Sequence, residues 1–262
     1  MMLALFRRFA VVASAAFACA PTAFAQSTPI APPMPPTFAI LSLVGDQFTV
    51  VTRREEVGSH LDKNVRSSYP VAVATFDDMA LDTAESVLKK LKPVSPVLRF
   101  SIRDPRLFEL QDALLAETPR SSALRAELLK LLREHQVTRL VLITKWRDDA
   151  RFKVLEGTMG VGKIAGLGFY VDPLTRMLQT SNGEETFGFL GPYAYLSVTV
   201  AEAATLTTLR SVQARESEMR LPVHATGAVR AWDALTAAAK VDALERVLRR
   251  AVEQATTAAL AD

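Results

Sequence analysis

The sequence predicts an α/β fold, a single α/β sandwich with a mixed sheet, a late antiparallel hairpin and a C-terminal helix. Three observations support this. Apolar strand-like runs alternate with amphipathic helical segments in the first half of the chain. Apolar and polar residues alternate over 194–200, which is typical of a strand with one buried face. A long apolar stripe at helical spacing closes the chain.

The chain begins with a pattern typical of a secretory signal peptide. Arg7 and Arg8 precede an apolar run over 9–18, and the small residues Ala23 and Ala25 follow it. This pattern predicts cleavage after Ala25 and export to the periplasm. The run is shorter than the roughly 20 apolar residues of a membrane-spanning helix.

Cys19 raises the alternative of a lipid-modified N-terminus. Lipoprotein processing calls for an aliphatic residue three positions earlier, and that position holds Ala16. We therefore favour the soluble form. The proline-rich stretch that follows predicts an extended tether over 26–37, so the α/β domain is expected over 38–262.

The charge balance gives no support to one large class of partner, the nucleic acids. The chain has 31 Lys and Arg against 28 Asp and Glu, and cleavage would remove two arginines, so the mature protein is nearly neutral. That balance does not favour nucleic-acid binding. Cys19 is the single cysteine, so we expect the mature domain to depend on its apolar core and not on disulfides.

The first elements follow from local signals. Apolar runs over 38–44 and 48–53 flank the turn "GDQ" and predict a hairpin. Asp77 or Asp78 is expected to cap a helix that starts near Met79 and ends at Leu91.

Later elements have clearer boundaries. A strand is predicted over 97–102, and Asp104 with Pro105 predicts a capped helix start. A further helix over 122–135 precedes a buried strand over 138–144. Thr236 is expected to cap the final helix, which runs to about residue 260.

Residues 157–164, "GTMGVGKI", match a phosphate-binding loop except at the last position. Ile164 replaces the Ser or Thr that would hold magnesium, and glycines follow where a helix should start. We therefore expect no nucleotide, and no motif elsewhere predicts a cofactor.

Glycine and aromatic residues are concentrated in one segment, an insertion predicted at about 150–192. Eight of the eleven glycines lie there. One interpretation is a pair of glycine-bulged strands that pack aromatics over the sheet. The other is an exposed surface that meets a partner or the membrane interface through 157–195. The candidate binding residues are Phe169, Tyr170, Phe187, Phe189, Tyr193 and, outside the segment, Trp146.

No catalytic motif stands out. The chain lacks a G-x-S-x-G nucleophile turn, and its three histidines share no short motif. Asp46, Asp77 and Asp78 follow apolar runs, with His60 between them, so a metal-dependent hydrolase using these carboxylates is an alternative. Turn and cap roles explain the same aspartates equally well. A small-ligand site near Trp146 is a third possibility.

The order of elements over about 38–258 resembles bacterial envelope domains of the curli-secretion-channel and synthase-activating-lipoprotein type. The resemblance is one of pattern, without a shared motif. It implies a non-catalytic accessory protein that acts by binding and assembly. The 157–195 segment would occupy the place where the channel family inserts membrane-spanning hairpins, but it lacks their length and regular alternation.

Overall fold

The computed structural model describes residues 34–54, 62–72, 75–101, 104–154, 157–178, 185–222 and 230–261. The predicted signal peptide, Cys19, most of the tether, His60 and His224 lie outside these ranges. No helix within them is long and apolar enough to cross a membrane.

The described chain alternates strands and helices in its first half and is mostly strand in its second. The strands are β1 (Phe38–Ser42), β2 (Gln47–Thr52), β3 (Val65–Pro70), β4 (Val97–Phe100), β5 (Arg139–Lys145), β6 (Arg147–Asp149), β7 (Phe152–Val154), β8 (Gly157–Met159), β9 (Lys163–Leu178), β10 (Glu185–Glu202) and β11 (Thr208–Ser217). The helices are α1 (Thr75–Leu91), α2 (Pro105–Glu109), α3 (Ser122–Glu134) and α4 (Ala237–Leu260), with 3₁₀ turns at Gln111–Ala113 and Ala231–Ala234.

The predicted fold class is confirmed. Nine of the described strands form one mixed sheet in the order β3-β2-β9-β10-β5-β1-β4, with β11 beside β10 and β6 beside β9. Helices α1 and α4 pack on one face through a large apolar cluster. The opposite face is covered at one end by α2 and α3 and at the other by residues 147–154 and 157–162, which we call the flap.

Two staggered halves make up the sheet. Along one side of β10, residues 185–195 pair with β9 and residues 196–202 pair with β5. In the same way β1 lies beside β5, and β2 lies beside β9. The loops after β1 and β5 therefore meet where the two halves join.

The predicted hairpin of the first two strands is wrong. β1 pairs in parallel with β4 and β5, whereas β2 pairs with β9 and β3. The loop between them carries the chain from one half of the sheet to the other. Gly45 in this loop has φ +82°, a conformation that suits glycine.

Two of the predicted helix starts are confirmed and one is wrong. Asp104 accepts a hydrogen bond from the Arg106 amide, and Thr236 accepts one from Ala239, so both caps are confirmed. Helix α1 begins at Thr75 and not near Met79, which places Asp77 inside its first turn.

The glycine- and aromatic-rich segment is not an insertion beside the sheet. Its second half forms β9 and β10, which lie at the centre of the sheet. The "GTMGVGKI" stretch consists of β8, a turn and the start of β9, so it leads into a strand and not into a helix.

Candidate functional site

The predicted aromatic surface is largely interior. Phe169, Tyr170, Phe189 and Tyr193 are at most 1% exposed, so the prediction that they form an exposed surface is wrong. Phe169 packs edge-on against Trp232 on the helix-covered face. The other three belong to a cluster under the flap. The interpretation of glycine-containing strands that pack aromatics over the sheet is confirmed for these residues.

Buried tyrosines hold the flap in place through their hydroxyl groups. The Tyr170 hydroxyl accepts a hydrogen bond from the Val161 amide at 3.0 Å. The Tyr195 hydroxyl accepts a hydrogen bond from the Arg151 backbone amide at 3.1 Å. Burial raises the pKa of Tyr170 to about 12, so it stays neutral and able to donate. These rings build the core, and the flap is the part that they stabilise.

One glycine of the segment lets the two inner strands approach closely. A β-carbon on Gly168 would lie 1.9 Å from the Thr49 carbonyl oxygen of β2. No side chain fits at that distance, so the glycine is required by strand packing. Its role is structural.

The exposed aromatic among the described residues of the segment lies at the far end of the β9–β10 hairpin, residues 173–178 and 185–187, which we call the distal arm. Phe187 is 61% exposed and Leu174 is 37% exposed. Arg176, the cross-strand partner of Phe187, and Glu185 are also exposed and form an ion pair. This face of the arm therefore combines apolar groups with a charge pair.

The other face of the distal arm packs inward. Met177 contacts the aromatic cluster beneath the flap, and Thr175 and Thr186 are half-buried. The alternation of buried and exposed side chains is that of a two-stranded ribbon with one face on the protein. The arm is thus anchored along its length while Phe187 faces solvent.

Asp172 fixes the base of the distal arm. Its buried carboxylate accepts hydrogen bonds from the amides of Leu174 and Thr175, at 2.8 and 3.0 Å, and from the Thr175 hydroxyl at 2.7 Å. Arg53, at the end of β2, donates to the same carboxylate at 2.9 Å and to the Thr175 hydroxyl. The arm is therefore tied to the neighbouring strand.

Hydrogen bonding also controls the charge of Asp172. Burial by itself would raise the pKa of this carboxyl group. The bonds from Thr175, Leu174 and Arg53 outweigh that effect and lower its pKa below the ordinary value. Asp172 is thus ionised at neutral pH, as its pairing with Arg53 requires.

A bulge interrupts the strand pairing at the base of the arm. The register shifts between Phe187 and Phe189, where residues 173–175 of β9 lie opposite Gly188 alone. Gly188 has φ +79°, and a β-carbon there would lie 2.3 Å from the Asp172 carbonyl oxygen. Glycine is needed at this position for both reasons.

Trp146 lies directly before the flap, between β5 and β6, and is half-buried. Its ring stacks on Tyr195 with centroids 6.0 Å apart. The Arg215 guanidinium lies 4.8 Å from its ring centre and pairs with Asp148. Trp146 thus contacts Tyr195 and Arg215 at the junction of the two sheet halves. It belongs to a different surface from the distal arm.

Asp77 is buried against the loop after β1. It accepts a hydrogen bond from the Ser42 hydroxyl at 2.6 Å and from the Gly45 amide at 3.1 Å. Burial raises the pKa of Asp77, and these bonds together with the Lys145 charge offset only part of the effect. Asp77 joins helix α1 to the loop that links the sheet halves.

The positive charge of Lys145 acts on Asp77 and favours its ionised form. Its methylene groups lie beside Gly166, and its ammonium group lies beside Gly45. Burial lowers the pKa of Lys145, while Asp77 and Asp46 act in the opposite direction.

The three predicted metal ligands do not come together. Asp77 is directed inward, whereas Asp78 is exposed on the next position of the helix. Within the described ranges, no group of three or more His, Cys, Asp or Glu side chains is arranged to hold a metal ion. The predicted site of Asp46, Asp77 and Asp78 is therefore wrong.

Sequence reasoning missed the two buried polar centres. Nothing near Ser42, Lys145 or Arg53 marks them in the sequence, because their partners are 35 to 119 residues away. Asp172 had a local signal, since an Asp-Pro pair inside a strand-like run often marks a side-chain-capped turn.

Comparison with known proteins places the chain in no family. No family model and no curated protein matches it. A PelC dodecamer from Paraburkholderia phytofirmans matches with 6% identity and a TM-score of 0.33, over 87% of this chain and 92% of that one. A putative neuraminyllactose-binding hemagglutinin homolog from Helicobacter pylori matches with 10% identity and a TM-score of 0.36, over 90% and 92%. A DUF330 protein from Xanthomonas campestris matches with 9% identity and a TM-score of 0.33, over 88% and 85%.

Proposed function

We propose that this protein is a non-catalytic accessory protein of the bacterial periplasm that binds a partner protein through the distal arm. The observation that carries this proposal is the contrast within one segment. Four of its predicted binding aromatics are buried, whereas Phe187 is 61% exposed at the end of an anchored hairpin. The periplasmic location rests on the pattern of residues 1–25.

Rigid anchoring favours a binding role for the arm. A surface that is ordered before association loses less conformational entropy when the complex forms. Asp172 and Arg53 hold the base of the arm, and Met177 holds its inner face. Phe187 is therefore presented by a fixed backbone.

The composition of the outer face also favours a protein partner. Aromatic residues and arginine are enriched at protein interfaces, and a few such residues carry most of the binding energy. Here Phe187 lies directly across from Arg176, whose guanidinium is paired with Glu185. We expect the partner to offer an apolar pocket for Phe187, with polar groups around it.

The test uses the mature protein as bait in envelope extracts of cells that produce it naturally. Phe187→Ser should lose the captured partner while keeping a native circular dichroism spectrum. The matched control is Val241→Ser, because Val241 on helix α4 is 60% exposed and lies on a different surface. Val241→Ser should capture the partner as the wild type does.

Two outcomes would contradict the proposal. Equal capture by both variants would place the interface elsewhere. Binding of the wild type to lipid vesicles, lost in Phe187→Ser and without a captured protein, would assign the arm to the membrane interface instead.

A further inference from the structure

A cleft of about 200 Å3, lined by both polar and apolar side chains including Leu115 and Leu142, opens on the face of the sheet opposite helices α1 and α4. One wall is the 3₁₀ turn after α2, with Gln111 and Asp112. The floor is formed by β5 and β10, with Thr144, Ser197 and Thr199. Trp146 closes the end nearest the flap.

The cleft lies between the two parts of the chain that cover this face of the sheet, helices α2 and α3 at one end and the flap at the other. Helices α2 and α3 pack on Leu140 and Leu142, and the flap packs on Tyr193 and Tyr195. Between these two apolar clusters the strands carry hydroxyl groups. The cleft also lies at the carboxyl end of β5, which runs parallel to β1, and such strand ends are the usual place for ligands in α/β sheets.

The floor presents hydroxyl groups that the protein uses incompletely. Thr144 and Ser197 are direct cross-strand partners. Within the described ranges, the Thr144 hydroxyl has no hydrogen-bond partner. Ser197 and Thr199 share a single hydroxyl, that of Ser211, at 3.2 and 2.9 Å. Donor and acceptor positions on the floor are therefore open to a ligand.

The wall of the cleft supplies the Asp112 carboxylate as an acceptor, and Gln111 holds this wall in place. Asp112 forms neither an ion pair nor a side-chain hydrogen bond with any described residue. The Gln111 amide is fixed by two bonds, one from the Lys145 backbone amide at 2.8 Å and one to the Phe108 carbonyl at 2.9 Å. The wall that carries Asp112 is thus attached to the end of β5.

Charge argues against an anionic ligand. Lys145 borders the cleft, but its cross-strand partner Leu196 belongs to the cluster on the opposite face, and cross-strand partners share a face of the sheet. The Lys145 ammonium group lies beside Gly45, within the field of Asp77. Arg215 is already paired with Asp148 at 2.6 Å.

We propose that this cleft binds a neutral, polyhydroxylated small molecule about the size of one sugar ring. Each ring hydroxyl both donates and accepts, which matches a floor of hydroxyl groups beside a carboxylate. The volume is below the roughly 300–1,000 Å3 of pockets for drug-sized ligands, so it fits a single ring. This proposal is independent of the distal arm.

The test follows the fluorescence of Trp146 in a Trp232→Phe background, which leaves one tryptophan in the chain. The probes are D-glucose, N-acetyl-D-glucosamine and myo-inositol, up to about 50 mM, well above a millimolar Kd. Inorganic phosphate and methylammonium are the charged probes. We expect a saturable change with at least one neutral probe and with neither charged one.

Variants locate the binding. Thr144→Val preserves shape and strand preference but removes the open hydroxyl, so it should weaken binding about fivefold or more. Ser68→Ala removes an exposed hydroxyl on β3 and should leave binding unchanged. The proposal is overturned by no saturable response to any neutral probe, by a response to a charged probe alone, or by equal binding in Thr144→Val and wild type.

Discussion

Asp77 shows at the scale of one residue why burial decides between a metal ligand and a structural carboxylate. Asp77→Ala would leave the Ser42 hydroxyl and the Gly45 amide without their acceptor. Leaving buried polar groups unpaired costs about 1–3 kcal/mol, so we expect a loss of that size in the free energy of unfolding. Asp77→Asn retains an acceptor oxygen and should cost less. Denaturant titration measures both.

Asp78 provides the control for this prediction. It occupies the same first turn of α1 but is exposed, so Asp78→Ala should lose only its interaction with the helix dipole, about 0.3–1 kcal/mol. Equal losses for Asp77→Ala and Asp78→Ala would contradict the structural role of Asp77.

Asp172 predicts a dependence of stability on pH. Because its pKa is lowered in the folded protein, its contribution is present above the ordinary value of 3.8 and is lost as the pH falls through the folded pKa. The pH dependence contributed by Asp77 has the opposite sign. Because burial raises its pKa in the folded protein, the stability that comes from its protonation is lost as the pH rises through the folded pKa. The free energy of unfolding of Asp172→Asn should therefore fall less steeply on acidification than that of the wild type. Parallel curves would contradict this assignment.

At the scale of elements, the sequence predicted correctly those features that neighbouring residues alone determine. The Asp104-Pro105 start and the Thr236 cap depend on neighbouring residues alone, and both are confirmed. The start of α1 was missed because two carboxylates looked like caps, whereas Asp77 bonds to a loop 32 residues away. The hairpin of β1 and β2 was wrong because strand pairing is decided by distant partners.

The bulge at Gly188 can be tested directly. Gly188→Ala places a residue at φ +79° and a methyl group 2.3 Å from the Asp172 carbonyl oxygen. We expect a loss in the free energy of unfolding beyond the roughly 1–3 kcal/mol of the backbone strain. Gly157→Ala is the control, since Gly157 has φ +143° but open space around an added methyl group. The prediction fails if Gly188→Ala is no more destabilised than Gly157→Ala.

At the scale of the whole molecule, the pattern of apolar runs indicated an α/β sandwich, and the sheet confirms it. The pattern could not show that the aromatic segment forms the central strands. Glycine and aromatics are compatible with both a loop and a strand, and only the contacts of Phe169 and Tyr170 distinguish them. The exposure of Phe187 likewise could not be predicted, because the register of the distal arm shifts at the bulge between Phe187 and Phe189.

Two deletions separate the sheet from the arm. Removing residues 157–195 removes β9 and the half of β10 that pairs with it, so we expect loss of cooperative unfolding. Replacing residues 174–187 with a two-residue Asn-Gly turn should preserve a cooperative transition. Thermal unfolding followed by circular dichroism checks both, and a cooperative transition in the first deletion would contradict the central position of these strands.

The most direct measurement of the central claim is site-specific photo-crosslinking in cells that produce the protein naturally. A benzophenone side chain replaces Phe187 in one variant and Val241 in the other, two positions that are 61% and 60% exposed. Binding through the distal arm predicts a discrete crosslinked protein from position 187 and none from position 241. The same product from both positions, or a product from position 241 alone, would contradict it.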